Sequence, residues 1–410
     1  MKKLIVFIFL FSFVFAQGTK VIKKNGNYLF LTDSKISISK LPTQLSSNGL
    51  YGDILIKGTD KQEIRFTEKV EIDKHSKEKA TEIWKDIHTK LEKDKFGYIL
   101  KNNPSKRRHY KNNIKSIKYI LDVPKDINIV LSTHGGDLNV NNINGEIRLS
   151  TLAGDAILKN LIGKFSIDTK GGGINSFNLE GNINLYTAGG DIECKNLVGT
   201  GNLKTMGGDI SLESIKGHLH AKSYGGDIGL NDFAGKGISL ITFGGDIVAM
   251  KTIGGLSVET KGGDILIEDV LGNVHAETSG GNVKGTKILG NTKMRTMGGD
   301  INIETISGSI NAETLSGDIN LSAGKMNTSK NNSIVLKTKN GSIKLRIAET
   351  VSCRIDATAE GFGSDIISDF DIDISKNPRE TIGKGKINKG TNMVKLKVYN
   401  GDIIIKKIKK

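Results

Sequence analysis

Residues 205–227 read TMGGDISLESIKGHLHAKSYGGD, and this stretch decides the fold. It holds two copies of a five-residue motif, Thr-x-Gly-Gly-Asp, in which the second copy begins with Ser223 in place of threonine. Between the copies, apolar and polar residues alternate in two short runs that begin at Ile210 and Leu219, and Gly217 marks a second turn. An alternation of period two is typical of half-buried strands, so the stretch predicts two strands and two turns in each repeat.

The motif recurs at a fixed spacing along most of the chain. Its first position returns every 18 residues, except for one interval of 19 between Ser223 and Thr242. A repeat this short cannot bury an apolar face alone, so consecutive repeats must stack on one another. The sequence therefore predicts an all-β fold, a parallel β-solenoid or β-helix with 18-residue coils. A flattened two-sheet solenoid is the favoured form, and a three-sided β-helix is the alternative. The first positions are Thr133, Thr151, Thr169, Thr187, Thr205, Ser223, Thr242, Thr260, Thr278, Thr296 and Thr314, and the fifth are Asp137, Asp155, Gly173, Asp191, Asp209, Asp227, Asp246, Asp264, Asn282, Asp300 and Asp318.

Each position of the motif has a predicted structural role. Threonine lies on the same side of its strand as the preceding apolar residues, so it should point inward and bond the backbone of the turn. The paired glycines permit positive φ and a close approach of neighbouring coils. Aspartate should accept hydrogen bonds from turn amides. Carboxylates about 5 Å apart on adjacent coils repel by roughly 1 kcal/mol in water, so either amides or cations must offset that repulsion.

Calcium offers the alternative explanation of the aspartate row. Calcium-binding β-rolls repeat Gly-Gly-x-Gly-x-Asp every nine residues, whereas this chain carries one aspartate in 18 and lacks the second liganding position. A structural row is therefore favoured, and the sequence predicts no metal and no cofactor.

No catalytic centre is predicted. A polysaccharide-cleaving enzyme on a β-helix needs paired carboxylates or a base in a cleft, and such clefts are built from long loops between coils. These coils carry one inserted residue across eleven repeats, so the chain is expected not to be an enzyme.

The amino terminus predicts export. Lys2 and Lys3 precede an apolar run from Leu4 to Ala16, a pattern typical of a secretory signal peptide cleaved after Ala16. The run is shorter than the ~20 residues that span a bilayer. The mature protein is expected in the periplasm, at the cell surface or secreted, without a transmembrane anchor.

The flanks of the repeats predict four segments. An amphipathic helix from about Ser76 to Lys95 should cap the solenoid, residues 102–113 should form a basic loop, and motif-like copies end at Asp53 and Asp402. The predicted segments are a signal peptide at 1–16, amino-terminal strands with the capping helix at 17–130, the regular solenoid at 131–321, and its continuation and cap at 322–410.

The net charge bears on the partner. The 59 Lys and Arg residues against 44 Asp and Glu residues give +15, which falls to +13 once Lys2 and Lys3 are removed. For an exported protein this excess favours an anionic envelope surface over nucleic acid, and the alternative is that the charge only keeps the protein soluble.

The two cysteines are not expected to pair. Cys194 and Cys353 lie about seven coils apart in the repeat register. With coils stacked at ~4.8 Å, the Cα atoms lie far beyond the ~7 Å that a disulfide allows. Both should be buried, unpaired residues.

The variable residue after each threonine carries the candidate binding surface, since alternation turns it outward. Met206, Tyr224 and Phe243 are consecutive members of this column. Ile241, Val248 and Leu266 lie nearby in the repeat register and complete what we call the apolar stripe. An apolar stripe on a polar solenoid favours contact with a protein, a glycan or a second copy. The alternative is that the helix carrying Trp84 covers it.

The repeats resemble a known family. The Thr-x-Gly-Gly-Asp-Ile coils, the copy TKNGSIKLR at 338–346, the segment GSDIISDF at 363–370 and the closing NGDIII at 400–405 look like the bacterial putative-adhesin β-strand-repeat family. The resemblance runs from about residue 45 to the end and implies an adhesin-like role. The predicted function is therefore non-enzymatic binding of a cell-surface or envelope macromolecule, a glycan or a protein. A self-assembling envelope scaffold is the alternative, and a polysaccharide-active enzyme is a more distant one.

Overall fold

The computed structural model describes residues 15–41, 43–47, 49–74, 76–323 and 332–408. Backbone contacts divide the chain into two compact units, an amino-terminal unit up to Gly190 and a carboxyl-terminal unit from Asp191. Nearly all of the predicted signal peptide, residues 1–14, lies outside the described part. The predicted segment boundaries at 130 and 321 stay predictions.

The amino-terminal unit contains twelve strands and two α-helices within its described residues. The strands are β1 (Phe15–Lys24), β2 (Asn27–Ser37), β3 (Thr43–Ser47), β4 (Asp53–Thr59), β5 (Glu63–Ile72), β6 (Lys90–Lys93), β7 (Gly97–Lys101), β8 (Ile114–Pro124), β9 (Ile127–Thr133), β10 (Leu138–Thr151), β11 (Ala156–Thr169) and β12 (Ile174–Thr187). The helices are α1 (Lys77–Ile87) and α2 (Pro104–His109), and a 3-10 turn follows at Lys111–Asn113.

The carboxyl-terminal unit is built from strands alone among its described residues. They are β13 (Ile192–Thr205), β14 (Ile210–Lys222), β15 (Ile228–Ile241), β16 (Ile247–Glu259), β17 (Ile265–Leu271), β18 (Val274–Glu277), β19 (Val283–Leu289), β20 (Thr292–Thr296), β21 (Ile301–Ser307), β22 (Ile310–Ser316), β23 (Ile319–Ala323), β24 (Ser333–Asn340), β25 (Ile343–Ala348), β26 (Cys353–Glu360), β27 (Ile366–Ser368), β28 (Asp373–Asn377), β29 (Glu380–Ile387), β30 (Asn392–Asn400) and β31 (Ile403–Ile408).

Consecutive coils pair in parallel at the repeat spacing. In the carboxyl-terminal unit Ile210, Ile228 and Ile247 occupy one register position of successive strands. The inserted residue of the 19-residue interval is Lys236, which the ladder skips between Gly235 and Gly237. The predicted parallel β-solenoid is confirmed.

Each coil has three bends, whereas the sequence pattern predicts two turns. In β16 the buried positions are Ile247 and Ala249, and then the phase changes so that Thr252 is buried. The change occurs at Lys251, whose φ of 51° places it in the left-handed region. One left-handed residue shifts the inward face by one position. A prediction that continues the alternation past such a residue therefore assigns the wrong side chains to the inside.

The motif turn binds the coil before it. The Thr260 hydroxyl is buried and donates to the Gly245 carbonyl oxygen over 2.8 Å, and it accepts from the Gly263 amide at 3.3 Å. A Cβ at Gly245 would lie 2.4 Å from the Gly226 carbonyl oxygen, so only glycine fits the contact. The predicted inward threonine is confirmed.

The aspartates form a ladder of hydrogen bonds between coils. The Asp246 amide donates to Asp227 Oδ1 over 2.7 Å, and the Asp264 amide donates to Asp246 Oδ1 over 2.7 Å. Each carboxylate thus accepts a hydrogen bond from an amide of the next coil. The expected donor was an amide of the carboxylate's own turn. Asn282 fills the position equally well, because its Oδ1 accepts from the Asp300 amide at 2.9 Å.

Both flanks of the repeats continue this ladder. In the amino-terminal unit Asp53 accepts from the Asp137 amide at 3.1 Å. In the carboxyl-terminal unit Asp318 accepts from the Ser342 amide at 2.8 Å, and Asp402 accepts from the Asp365 amide at 2.9 Å. The motif-like copies of the sequence are therefore coils of the solenoid.

Antiparallel strands adjoin the parallel coils in each unit. In the amino-terminal unit β8 pairs in parallel with β4 on one side and antiparallel with β5 on the other, and β5, β2 and β1 follow as antiparallel neighbours. In the carboxyl-terminal unit β29 pairs antiparallel with β26 and β28. These strands cover edges that would otherwise be open to another chain.

The helical segment differs from its prediction. Helix α1 begins after the Ser76 cap, whose hydroxyl accepts from the Lys79 amide, but it ends at Ile87 and not at Lys95. The next amide but one, at Thr89, donates to the Glu68 carboxylate, and the chain then enters β6. The predicted basic loop at 102–113 contains α2, because Asn103 caps its first turn.

Two further observations complete the fold. Neither helix of the described residues has the length and apolar character that crossing a bilayer requires. Cys194 and Cys353 are buried and are not joined by a disulfide, as the repeat spacing predicts, and burial raises the pKa of the Cys353 thiol to about 11.

We expect the Oδ1 acceptor of each ladder aspartate, and not the negative charge of its carboxylate, to stabilise the coils. Asp246→Asn keeps the acceptor for the Asp264 amide and should stay within about 0.5 kcal/mol of the wild type. Asp246→Ala removes it and should lower the free energy of unfolding by about 1 kcal/mol. Urea unfolding measures both. An equal loss in the two variants, reproduced in the wild type by a chelator, would instead favour the calcium ladder.

Candidate functional site

The centre of the apolar stripe is a row of three consecutive motif turns in the carboxyl-terminal unit. Met206 is 42% exposed, Phe243 is 38% exposed and Tyr224 is half-buried. The Tyr224 and Phe243 rings meet edge to face, with centroids 4.9 Å apart at 84°. The turn holds these side chains outward because the preceding threonine or serine is anchored inside. The row stops at Lys261, the next residue in the column.

Lysines flank the aromatic rings of the row. Lys222 Nζ lies 4.7 Å from the Tyr224 centroid and 4.9 Å from that of Phe243, and Lys204 Nζ lies 5.3 Å from that of Tyr224. All three distances are within the range of cation–π attraction. The row therefore presents apolar surface and positive charge together, a combination that suits a partner with apolar and anionic groups.

The other members of the apolar stripe are only half-buried and lie on either side of the turn. Ile241 precedes the turn on β15 and pairs with Lys222. Val248 and Leu266 follow their turns and are register partners in β16 and β17. The structure thus brings Met206, Tyr224 and Phe243 into one row, and it makes Val248 and Leu266 a separate pair.

Helix α1, the predicted alternative cover for the stripe, packs within the amino-terminal unit. The Trp84 ring stacks on Phe30 of β2, with centroids 5.4 Å apart, and on His88. The helix packs on β2 and β5 of its own unit. Met206 and Phe243 remain exposed.

A second row of exposed apolar residues was not predicted from the sequence. Ile253, Leu271 and Leu289 are register partners in successive coils and are 56%, 53% and 54% exposed. We call them the aliphatic row. Alternation continued from Ile247 assigns Ile253 to the inside, but the left-handed residue Lys251 shifts the phase and turns it outward. The sequence did contain a signal for this row, which is an apolar residue directly before the glycine of the second turn in three successive coils.

A buried ion pair lies in the amino-terminal unit. Arg107 Nη2 donates to Glu68 Oε1 over 3.2 Å and to the Thr89 hydroxyl over 2.8 Å, and Arg107 Nε donates to the Ile87 carbonyl oxygen. Burial raises the pKa of Glu68 to about 7, although the Arg107 charge and the Thr89 amide act to lower it. Arg107 falls in the predicted basic loop at 102–113, and nothing in the local pattern distinguishes it from Arg108.

No metal-binding cluster is present in the part of the chain that the structure describes. No three His, Cys, Asp or Glu side chains there come together in a way that would hold an ion.

Comparisons with known proteins bear on family and fold. A family model described as Toastrack DUF4097 matches residues 43–267 and 236–406. A putative adhesin from Bacteroides fragilis NCTC 9343 is 14% identical, with a TM-score of 0.28, covering 70% of this chain and 96% of its own. A putative cell adhesion protein from Clostridium sporogenes ATCC 15579 is 10% identical, with a TM-score of 0.15, covering 96% of this chain and 100% of its own. No curated protein matches. Scores this low support no conclusion about this chain.

We expect Arg107→Met to lower the free energy of unfolding by about 3–5 kcal/mol at pH 9, because it leaves the Glu68 carboxylate buried and unpaired. Removing the cation raises the pKa of Glu68 further, so the folded variant binds a proton that the folded wild type has released above pH 7. The loss should therefore grow as the pH rises from 6 to 9. Urea unfolding at both values measures it.

The matched control is Arg65→Met, which removes an exposed arginine paired with Glu63. It should cost less than about 1 kcal/mol with no growth between pH 6 and 9. A pH-independent loss in Arg107→Met would show that Arg107 stabilises by packing alone.

Proposed function

The chain belongs to the Toastrack DUF4097 family, and on that premise we propose that it is an exported, adhesin-like, non-enzymatic binding protein. It presents a rigid β-solenoid to a macromolecule of a cell surface or envelope, a glycan or a protein. The row Met206, Tyr224 and Phe243 is the observation that carries the proposal, because it exposes aromatic and apolar surface at the repeat spacing.

The scaffold supports this role. Most motif turns are held to the neighbouring turn by backbone and carboxylate hydrogen bonds, so an outward side chain has a fixed position. A surface that is already ordered loses little conformational entropy on binding. Lys204 and Lys222 beside the rings add attraction for an anionic partner.

The short turns of the coils support the proposed non-enzymatic role. Turns between successive strands are short, with one residue, Lys236, inserted in the repeats. Long loops that build a cleft are therefore lacking between β10 and β12 and between β13 and β23. A binding role uses such a surface better than an enzyme would.

Replacing Met206, Tyr224 and Phe243 together by serine should lower binding at least about tenfold, since these side chains supply the contact. The measurement is the amount of labelled full-chain protein bound by intact cells of the source bacterium and by their separated polysaccharide and protein fractions. Circular dichroism and the melting temperature should match the wild type, because the side chains point outward.

The matched control is Met297→Ser with Leu315→Ser, two exposed members of the same column beyond Lys261. It should bind like the wild type. Equal binding by the triple variant would remove the row from the function, and its failure to fold would assign the row to the core.

The aliphatic row favours a second function, a scaffold that assembles with copies of itself. Ile253, Leu271 and Leu289 form a continuous exposed aliphatic strip along one ladder. An identical strip on a second copy is the apolar surface most simply matched to it.

Sedimentation velocity tests the scaffold function. The wild type should sediment as a dimer or larger species, and Ile253→Ser with Leu271→Ser and Leu289→Ser should sediment as a monomer. Val198→Ser, in the same column but separated from the row by Lys216 and Ala234, is the control. A monodisperse wild-type monomer would contradict the scaffold function and leave the binding function standing.

A further inference from the structure

A pocket of about 760 Å³ opens in the amino-terminal unit, separate from the apolar stripe. It lies where the turn before β4, helix α2 and the start of β8 meet, and we call it the basic pocket. Its volume is that of a site for a drug-sized ligand. Its lining residues are Tyr51, Gly52, Asp53, Arg107, Arg108, Lys111, Ile114, Lys115, Ser116, Ile117, His134 and Gly135.

The charge of the basic pocket is positive and partly uncompensated. Arg107 is neutralised by Glu68, and Lys115 Nζ lies 3.1 Å from the Asp73 carboxylate. Arg108 and Lys111 are exposed, and neither forms an ion pair with any residue that the structure describes. Two cations therefore face the ligand space without a counterion.

The same lining also offers groups for hydroxyl recognition. Asp53 Oδ1 accepts from the Asp137 amide, and the ladder does not use its other oxygen. Ser116 adds a hydroxyl. His134 Nδ1 lies 3.3 Å from the Leu50 carbonyl oxygen, which can only accept, so Nδ1 donates this hydrogen bond and Nε2 is left for a ligand.

The aromatic residues of the lining narrow the ligand class. Tyr51 and His134 stack on each other, with centroids 4.4 Å apart and planes at 6°. The Arg107 guanidinium carbon lies 5.9 Å from the Tyr51 centroid. The Tyr51 ring is thus already engaged, which disfavours a nucleotide that needs a stacking face for its base.

We infer that the basic pocket binds an acidic saccharide. Arg108 and Lys111 pair with its carboxylate, Asp53 and Ser116 form hydrogen bonds with its hydroxyls, and Ile114 and Ile117 contact the apolar faces of its rings. A carboxylate among cations suits a ligand that carries both an anionic group and hydroxyl donors, whereas a bare polyanion would be repelled by Asp53.

Calorimetry on the full-chain protein tests the inference with three probes: digalacturonate, the uncharged disaccharide of galactose, and inorganic phosphate. Digalacturonate alone should bind, and its affinity should fall as salt is added. Arg108→Gln with Lys111→Gln should weaken binding at least about tenfold, because two charge-assisted contacts are lost. Lys159→Gln with Lys164→Gln removes the same charge from exposed sites outside the pocket and should leave the affinity unchanged.

Four results would overturn the inference. The absence of digalacturonate binding rejects it directly. Equal binding of the uncharged disaccharide would show that the cations play no part. Binding of phosphate as tight as that of digalacturonate would make the pocket a general anion site. An equal loss in both double variants would reduce the effect to net charge. All four leave the apolar stripe and the proposed binding function untouched.

Discussion

The close approach of consecutive motif turns is the constraint on which the rest of the solenoid depends. A Cβ at Gly245 would lie 2.4 Å from a carbonyl oxygen of the preceding coil, so the turn can pack only as glycine. That contact brings the Asp246 amide within 2.7 Å of Asp227 Oδ1 and the Thr260 hydroxyl within 2.8 Å of the Gly245 carbonyl oxygen. Threonine, glycine and aspartate are thus three parts of one contact, repeated at nearly every coil. The residue between threonine and glycine contributes only its backbone, as where the Gly262 amide donates to the Phe243 carbonyl oxygen, so its side chain is free to vary.

Much of the solenoid fold could be predicted from the sequence, because the residues that form the contact between turns recur at a fixed spacing. The solenoid, the inward threonines and the lack of a disulfide between the two cysteines all follow from spacing and alternation. The aspartate partner could not be predicted, since a carboxylate at a turn can reach an amide of its own turn or of the next coil. Only the geometry shows that Asp246 accepts from Asp264.

The features that sequence reasoning missed share a physical cause, which is that a side chain's direction depends on its own backbone and on distant packing. One left-handed residue, Lys251, turns Ile253 outward, whereas unbroken alternation from Ile247 would place it inside. Arg107 is buried while its neighbour Arg108 is exposed, because Glu68, 39 positions earlier, meets only one of them. The Glu68 carboxylate also accepts a hydrogen bond from the Thr89 amide, just after α1 ends at Ile87 and before the predicted end at Lys95.

The order of coils in the carboxyl-terminal unit has a consequence for how the chain matures. Strands β30 and β31 lie between β24 and β25 on one side and β26 and β27 on the other, although they come after all four in the sequence. The coil of β26 and β27 therefore has no parallel coil to dock on until residues 392–408 have been made, although β26 also pairs with β29. This part of the solenoid cannot grow coil by coil in the order of the sequence.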